Sequence, residues 1–129
     1  MTPRPGAGRD FELTDIAVTE ERDHDVLVLL PAGSLDSGNV HKFESIVMAH
    51  VNNGERRLIV DFSGLNFVSS AGLRVFIIAA RALQARMGQI ILCSMKNHVE
   101  DVFRVSGIYR VITIKESRAA ALAALAALA

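Results

Sequence analysis

The chain has no tryptophan, one tyrosine, one cysteine and three prolines, and aromatic residues make up only 5% of its 129 residues. Platforms of stacked aromatics for single-stranded nucleic acid are therefore not expected. Charge of neither sign is in excess: Lys+Arg and Asp+Glu both number 14. No bulk field draws the chain to nucleic acid or to an anionic membrane surface. One cysteine cannot close an internal disulfide, which points to a reducing compartment, and Cys93 lies in the apolar run 89–93 as a core filler. No segment approaches the roughly 18 apolar residues of a membrane span. The Pro/Gly/Arg-rich start has no signal-peptide core after it, so a cytoplasmic protein without direct membrane insertion is expected.

What is present suits one globular domain: 50% hydrophobic and 22% charged residues in a chain long enough to bury a real core. Residues 1–10 read as a flexible tail and 11–129 as the domain. Strands are expected at 11–19, 26–30, 58–62, 90–93 and 111–114, and helices at 40–51, 71–87, 98–105 and 118–129. The charged run 20–25 reads as a solvated hairpin turn. Residues 31–39 read as a polar loop whose Asp36, Ser37 and Asn39 are candidate helix caps. Asn97 reads as a cap and Gly107 as a helix stop. Near-continuous apolar strands alternating with helices predict an α/β fold. Its mixed sheet has about five strands, an N-terminal hairpin and then parallel strands, with about four helices packed on it. The terminal helix, with Leu122, Leu125 and Leu128 in a slanting stripe, is expected to cover the sheet.

The densest chemical signal is at 61–76. A buried-type strand runs into a short turn, and Ser69 and Ser70 stand where a helix begins. Serine there accepts a hydrogen bond from a free N–H of the first turn. The same N–H groups and the helix dipole favour an anion, so a phosphoserine would be tolerated by the fold and visible to a partner.

Other chemistry fits less well. A nucleophile elbow needs Gly-x-Ser-x-Gly, but Val68 stands two before Ser70. Neither His24, His41, His50 nor His98 is marked as an oriented base. There is no phosphate-binding Gly-x-x-x-x-Gly-Lys motif, and no His/Cys/Asp/Glu cluster has metal-ligand spacing. No cofactor and no enzymatic activity are expected. Asp61 reads as a strand-end carboxylate bonded to nearby backbone. The helix after the serines carries two apolar faces. Leu73, Phe76, Ile77, Ala80, Gln84 and Met87 form one, a core stripe. Val75, Ile78, Ala79 and Ala82 form the other, which is either buried or presented to a partner.

At these residues the sequence resembles the STAS-domain anti-sigma factor antagonists of bacteria. Asp61-Phe-Ser-Gly-Leu-x-Phe-Val-Ser-Ser-Ala-Gly-Leu-Arg-Val and Ala32-Gly-Ser-Leu-Asp36 carry the likeness, with support from the segments at 88–92 and 103–108. The resemblance implies a non-catalytic α/β domain that binds an anti-sigma factor, itself usually a serine kinase, and so frees the sigma factor. The kinase phosphorylates one serine at the helix start and binding is lost; a PP2C-type phosphatase resets it. By position that serine is Ser70, with Ser69 as the alternative, because many members have Asp where this chain has Ser69. Asp36 resembles the family's acidic neighbour of the site. The partner surface implied comprises Asp36, Ser37, Asn39, Ser69, Ser70, Ala71, Gly72, Arg74, Val75, Ile78 and Ala79. A scaffold subunit of a signalling complex or lipid-transport ATPase, and a small-ligand or nucleotide sensor, are the alternatives.

Overall fold

The structure is a computed structural model and describes residues 16–128. The tail at 1–10 and the first residues of the 11–19 strand lie outside the described residues. In chain order the elements are β1 (Ala17–Asp23), β2 (Val26–Leu35), α1 (Val40–Asn52), β3 (Arg57–Asp61), β4 (Gly64–Val68) and α2 (Ser70–Gln84). After these come β5 (Gln89–Cys93), α3 (Asn97–Ser106), a 3-10 turn (Ile108–Arg110), β6 (Thr113–Lys115) and α4 (Arg118–Leu128).

The sheet runs β1-β2-β3-β5-β6, with β4 joined to the far half of β2. Only β1 is antiparallel; β3, β4, β5 and β6 are all parallel to their neighbours. The central strands carry continuous apolar runs, at 26–30, 58–60 and 90–93, because both faces are covered. Leu27, Leu29, Leu58, Val60, Ile90 and Leu92 join the core under α1, α2 and α3. The alternate residues Val28, Ile59, Ile91 and Cys93 face Ala121 and Leu125 of α4. The terminal helix does cover the sheet, but through Ala121 and Leu125, one helical turn apart; Leu128 is exposed. Cys93 is fully buried, and that burial pushes its thiol pKa up, as a core filler requires. No helix of the described residues is long and apolar enough to cross a membrane.

Four sequence readings change. The charged run at 20–25 is mostly strand: β1 continues to Asp23 and only His24 and Asp25 turn. Its charges are matched on both faces of the sheet. Glu20 meets His50 of α1 at 2.8 Å, Glu21 meets Arg118 of α4 at 2.7 Å, and Arg22 pairs with Glu55. A charged edge strand also discourages edge-to-edge pairing. Second, β2 does not stop at Leu30. Pro31 falls between the residues paired with β3 and those paired with β4, so neither parallel neighbour needs its missing N–H. Third, the stretch before the serines is a sixth strand, β4, rather than a turn. The register skips Asn66, with Gly33 opposite Leu65 and Ser34 opposite Phe67, and this bulge breaks the alternation by which β4 would be recognised.

Fourth, α2 ends at Gln84 and Met87 leaves the core stripe, 94% exposed. The Met87 N–H donates to the Gln84 carbonyl and the Gly88 N–H to that of Leu83, with Met87 left-handed at φ 61°. This is the Schellman pattern, which turns the chain out of the helix one residue before the glycine. Smaller shifts occur elsewhere. Lys96 precedes α3 where Asn97 was expected to cap, with no side-chain cap. The last strand is the short Thr113–Lys115, since 108–110 coil into the 3-10 turn.

Candidate functional site

Three segments meet at the start of α2. The register places Leu35 of β2 beside Val68 of β4, so the residues that follow, Asp36 and Ser69, leave the sheet together. The Ser69 N–H donates to the Leu35 carbonyl at 2.9 Å, fastening the junction. Helix α2 can start this close to the strand ends because residue 72 is glycine. A Cβ there would lie 2.9 Å from Val68 Cγ1 and 3.0 Å from Leu35 Cγ, inside van der Waals contact.

The two serines have different tasks. Ser69 is the N-cap: its backbone is extended, and its Oγ accepts from the Gly72 N–H at 3.3 Å. Ser70 is the first helical residue. It is exposed, and its hydroxyl has no hydrogen-bond partner among the described residues. The N–H groups of a first helical turn have no carbonyl of their own helix to bond. Replacing Ser69 by alanine removes the cap and is expected to cost about 1 kcal/mol, read as a lower midpoint in denaturant unfolding. Ser70→Ala in the same experiment should change the midpoint little, since it removes no bond.

The Asp36 loop is built by its own side chains. Asp36 Oδ1 accepts from the Gly38 N–H at 2.8 Å. Asn39, 5% exposed, accepts from the Asp36 N–H and donates to the Ser34 carbonyl at 2.7 Å. Asn39 stands at the N-cap position of α1 but its side chain makes no cap there; it holds the loop instead. Lys96 Nζ donates to the carbonyl of Ser63 at 2.7 Å, just before β4, and His98 bonds the carbonyl of Asn66 in its middle at 2.6 Å. Sequence reading passes over Lys96 and weighs His98 only as a catalytic base, because their partners are carbonyls in and beside a strand it does not foresee.

The residues named from the sequence sort into two layers. Asp36, Ser37, Ser69, Ser70, Ala71, Arg74 and Ile78 reach the surface, whereas Asn39, Gly72, Val75 and Ala79 are buried. The second apolar face of α2 is thus half core: Val75 and Ala79 pack in the cluster that holds Val40, Phe43 and Val47 of α1. They shape the surface from beneath rather than presenting side chains to a partner. Between the two helices runs a shallow groove of about 240 Å³ lined by Ser37, His41, Glu44, Ala71, Arg74 and Ile78. A second groove of about 550 Å³ lies on the other flank of α2 and begins at Ser70. Arg74 borders both.

Among the described residues no histidine is hydrogen-bonded to either serine, and His41 lines the groove between α1 and α2 without reaching them by a bond. His24 bonds Asp23, His50 bonds Glu20 and His98 bonds a carbonyl. Asp61, 6% exposed, accepts from the Ser63 N–H at 2.9 Å and lies 3.5 Å from Arg118. Its carboxylate is held by backbone, as read, and by an arginine that was not foreseen.

Comparison with known proteins agrees with the fold. A family model described as the STAS domain matches residues 17–121. The anti-sigma factor antagonist BtrV of Bordetella bronchiseptica is 36% identical over 107 residues, covering 83% of this chain and 92% of its own length. A crystal structure of an anti-sigma factor antagonist from Thermotoga maritima superposes with a TM-score of 0.78 at 23% identity, over 81% of this chain and 91% of its own. The Bacillus cell fate determinant SpoIIAA in its phosphorylated form gives 0.65 at 22% identity, over 84% and 99%.

Proposed function

The chain belongs to the STAS domain family, with anti-sigma factor antagonists among its relatives, and we propose that it works as a phosphorylation-controlled binder of an anti-sigma factor. In the unmodified state, Ser70, Ala71, Arg74 and Ile78 on α2 and Asp36 and Ser37 on the loop contact an anti-sigma factor that is also a serine kinase. The kinase transfers phosphate to the Ser70 hydroxyl and the complex separates; a PP2C-type phosphatase removes the phosphate. The chain itself supplies no catalysis and acts in the cytoplasm.

The observation that carries this reading is the contrast between the two hydroxyls. Ser69 is engaged in the cap, whereas Ser70 is exposed, unbonded and seated on the N-terminal turn of α2. A phosphate there adds about −1.5 to −2 charges at the end of the helix that favours anions, so the fold accepts it. The names of the relatives support the same reading: one is an antagonist of an anti-sigma factor, and a structural neighbour is known in a phosphorylated form.

Phosphopeptide mapping of the protein purified from its own cells tests it. Phosphate is expected on Ser70 and not on Ser69, in a fraction that changes between growth and stress. Phosphate on neither serine under both conditions would overturn the switch.

A further inference from the structure

Apart from Arg56 and Arg86, which bond a carbonyl or Asn52, the arginines of the described residues fall into two groups. Arg22, Arg57, Arg104 and Arg118 each pair with carboxylates. Arg74, Arg81 and Arg110 have neither an ion pair nor a side-chain hydrogen bond within the described residues; Arg110 only lies over the Tyr109 ring, 5.8 Å from its centroid. All three line the 550 Å³ groove between α2 and the α3–3-10 corner, and no carboxylate lines it. Its floor and walls include Leu73, Ile77, Ile108 and Val111, with Val111 60% exposed. Three unmatched cations around an apolar channel form a surface without a partner among the described residues.

We propose that this groove docks an amphipathic helix of the protein partner, one that carries carboxylates along one edge of its apolar face. Spacing selects a helix. Arg74 and Arg81 are seven residues apart on α2, two turns or about 10.5 Å along its axis. A partner helix repeats its own carboxylates at that interval every seven residues. A strand repeats one face at about 6.6 Å and does not match. Charge excludes a second copy of this chain as the occupant. Among the described residues the carboxylates without an ion pair, Asp36, Glu44 and Glu116, lie on separate segments, and Glu100 and Asp101 of α3 are already held by Arg104.

Because Ser70 borders the same groove four residues before Arg74, one helical turn away, a phosphate on Ser70 would compete for Arg74. Loss of the partner would then come from a cation withdrawn as well as from an anion added. This link to Ser70 rests on the switch reading; the groove as a helix-docking site does not.

The test uses the full chain labelled for NMR and a synthetic helical peptide of about 18 residues, with glutamates seven apart and leucines between them. The expected result is a shift of the amides of Leu73, Ile77, Arg81, Ile108 and Val111, weakened by salt. Kd should rise at least about tenfold in the double variant Arg81→Glu, Arg110→Glu, whose exposed side chains hold no core contact. An unchanged melting curve for that variant excludes misfolding as the cause. Absence of shifts at millimolar peptide, or equal binding of a peptide with lysines in place of the glutamates, overturns the docking site. So does a short single-stranded DNA that binds the same arginines more tightly than the peptide, which would make the groove a nucleic-acid surface. Equal binding by Ser70→Asp and the unmodified chain leaves the docking site standing and removes only its coupling to Ser70.

Discussion

Ser70→Asp is expected to weaken capture of the anti-sigma factor by at least about 100-fold, whereas Ser70→Ala binds as the unmodified protein does and cannot be switched off. A partner surface shaped around a neutral hydroxyl must bury the new carboxylate, and a carboxylate that turns to Arg74 instead withdraws that cation from the partner. Breaking such a match costs several kcal/mol, and each 1.4 kcal/mol is tenfold in affinity. The effect on the fold should be of opposite sign or nil, because the first turn of α2 favours a negative charge. Titration of the isolated partner with the two variants, alongside their melting curves, separates the terms. Similar affinities for both would sink the switch. A variant that binds poorly and also melts early would place the effect in folding rather than at the interface.

Phe76→Ala should be the most damaging substitution in the core. Phe76 is fully buried on α2 and its ring touches three others, with centroids 5.6 Å from Phe43, 5.2 Å from Phe62 and 5.9 Å from Phe103. Phe62 and Phe103 close the cluster edge-to-face at 5.4 Å. One ring thus joins α1, α2, α3 and the end of β3. Truncation removes the transfer energy of the ring and leaves a cavity in a rigid surround, about 3–5 kcal/mol. Against a total stability of about 5–15 kcal/mol, that lowers the melting temperature by more than about 10 °C. Phe76→Leu should recover a large part of it. A shift of only a few degrees for the alanine variant would mean that the helices close over the gap. α2 would then be less firmly fixed beneath Ser70 than the ring cluster implies.

The alternation of strands and helices, and the burial of strands on both faces, were legible in the sequence because they depend on local pattern. Runs such as Leu58-Ile59-Val60 have no polar side, and only a covered parallel sheet accepts them. The helix start at Ser69-Ser70 was legible too, since capping is chemistry within one turn of chain. What a local pattern cannot carry is a matching made at long range. The charged stretch of β1 resembles a turn until α1 and α4 bring His50, Arg118 and the neighbouring Glu55 to it. The strand β4 is hidden because its pairing with β2 skips Asn66, and that bulge breaks the alternation of buried and exposed residues.

The site divides in the same way. The sequence by itself determined that a serine pair opens a helix and that an anion would be welcome there, because backbone N–H groups and dipole belong to the helix wherever it lies. Only the tertiary structure decided which hydroxyl is left unbonded, which apolar residues of α2 sink beneath α1, and which arginines find no carboxylate. Each of those outcomes depends on what a distant segment places opposite the residue. The Ser69 N–H is tied to the Leu35 carbonyl, which holds Ser69 at the strand end as the cap and leaves Ser70 to open the helix; Val75 is covered by α1; and Arg74, Arg81 and Arg110 face a groove without a counter-ion among the described residues.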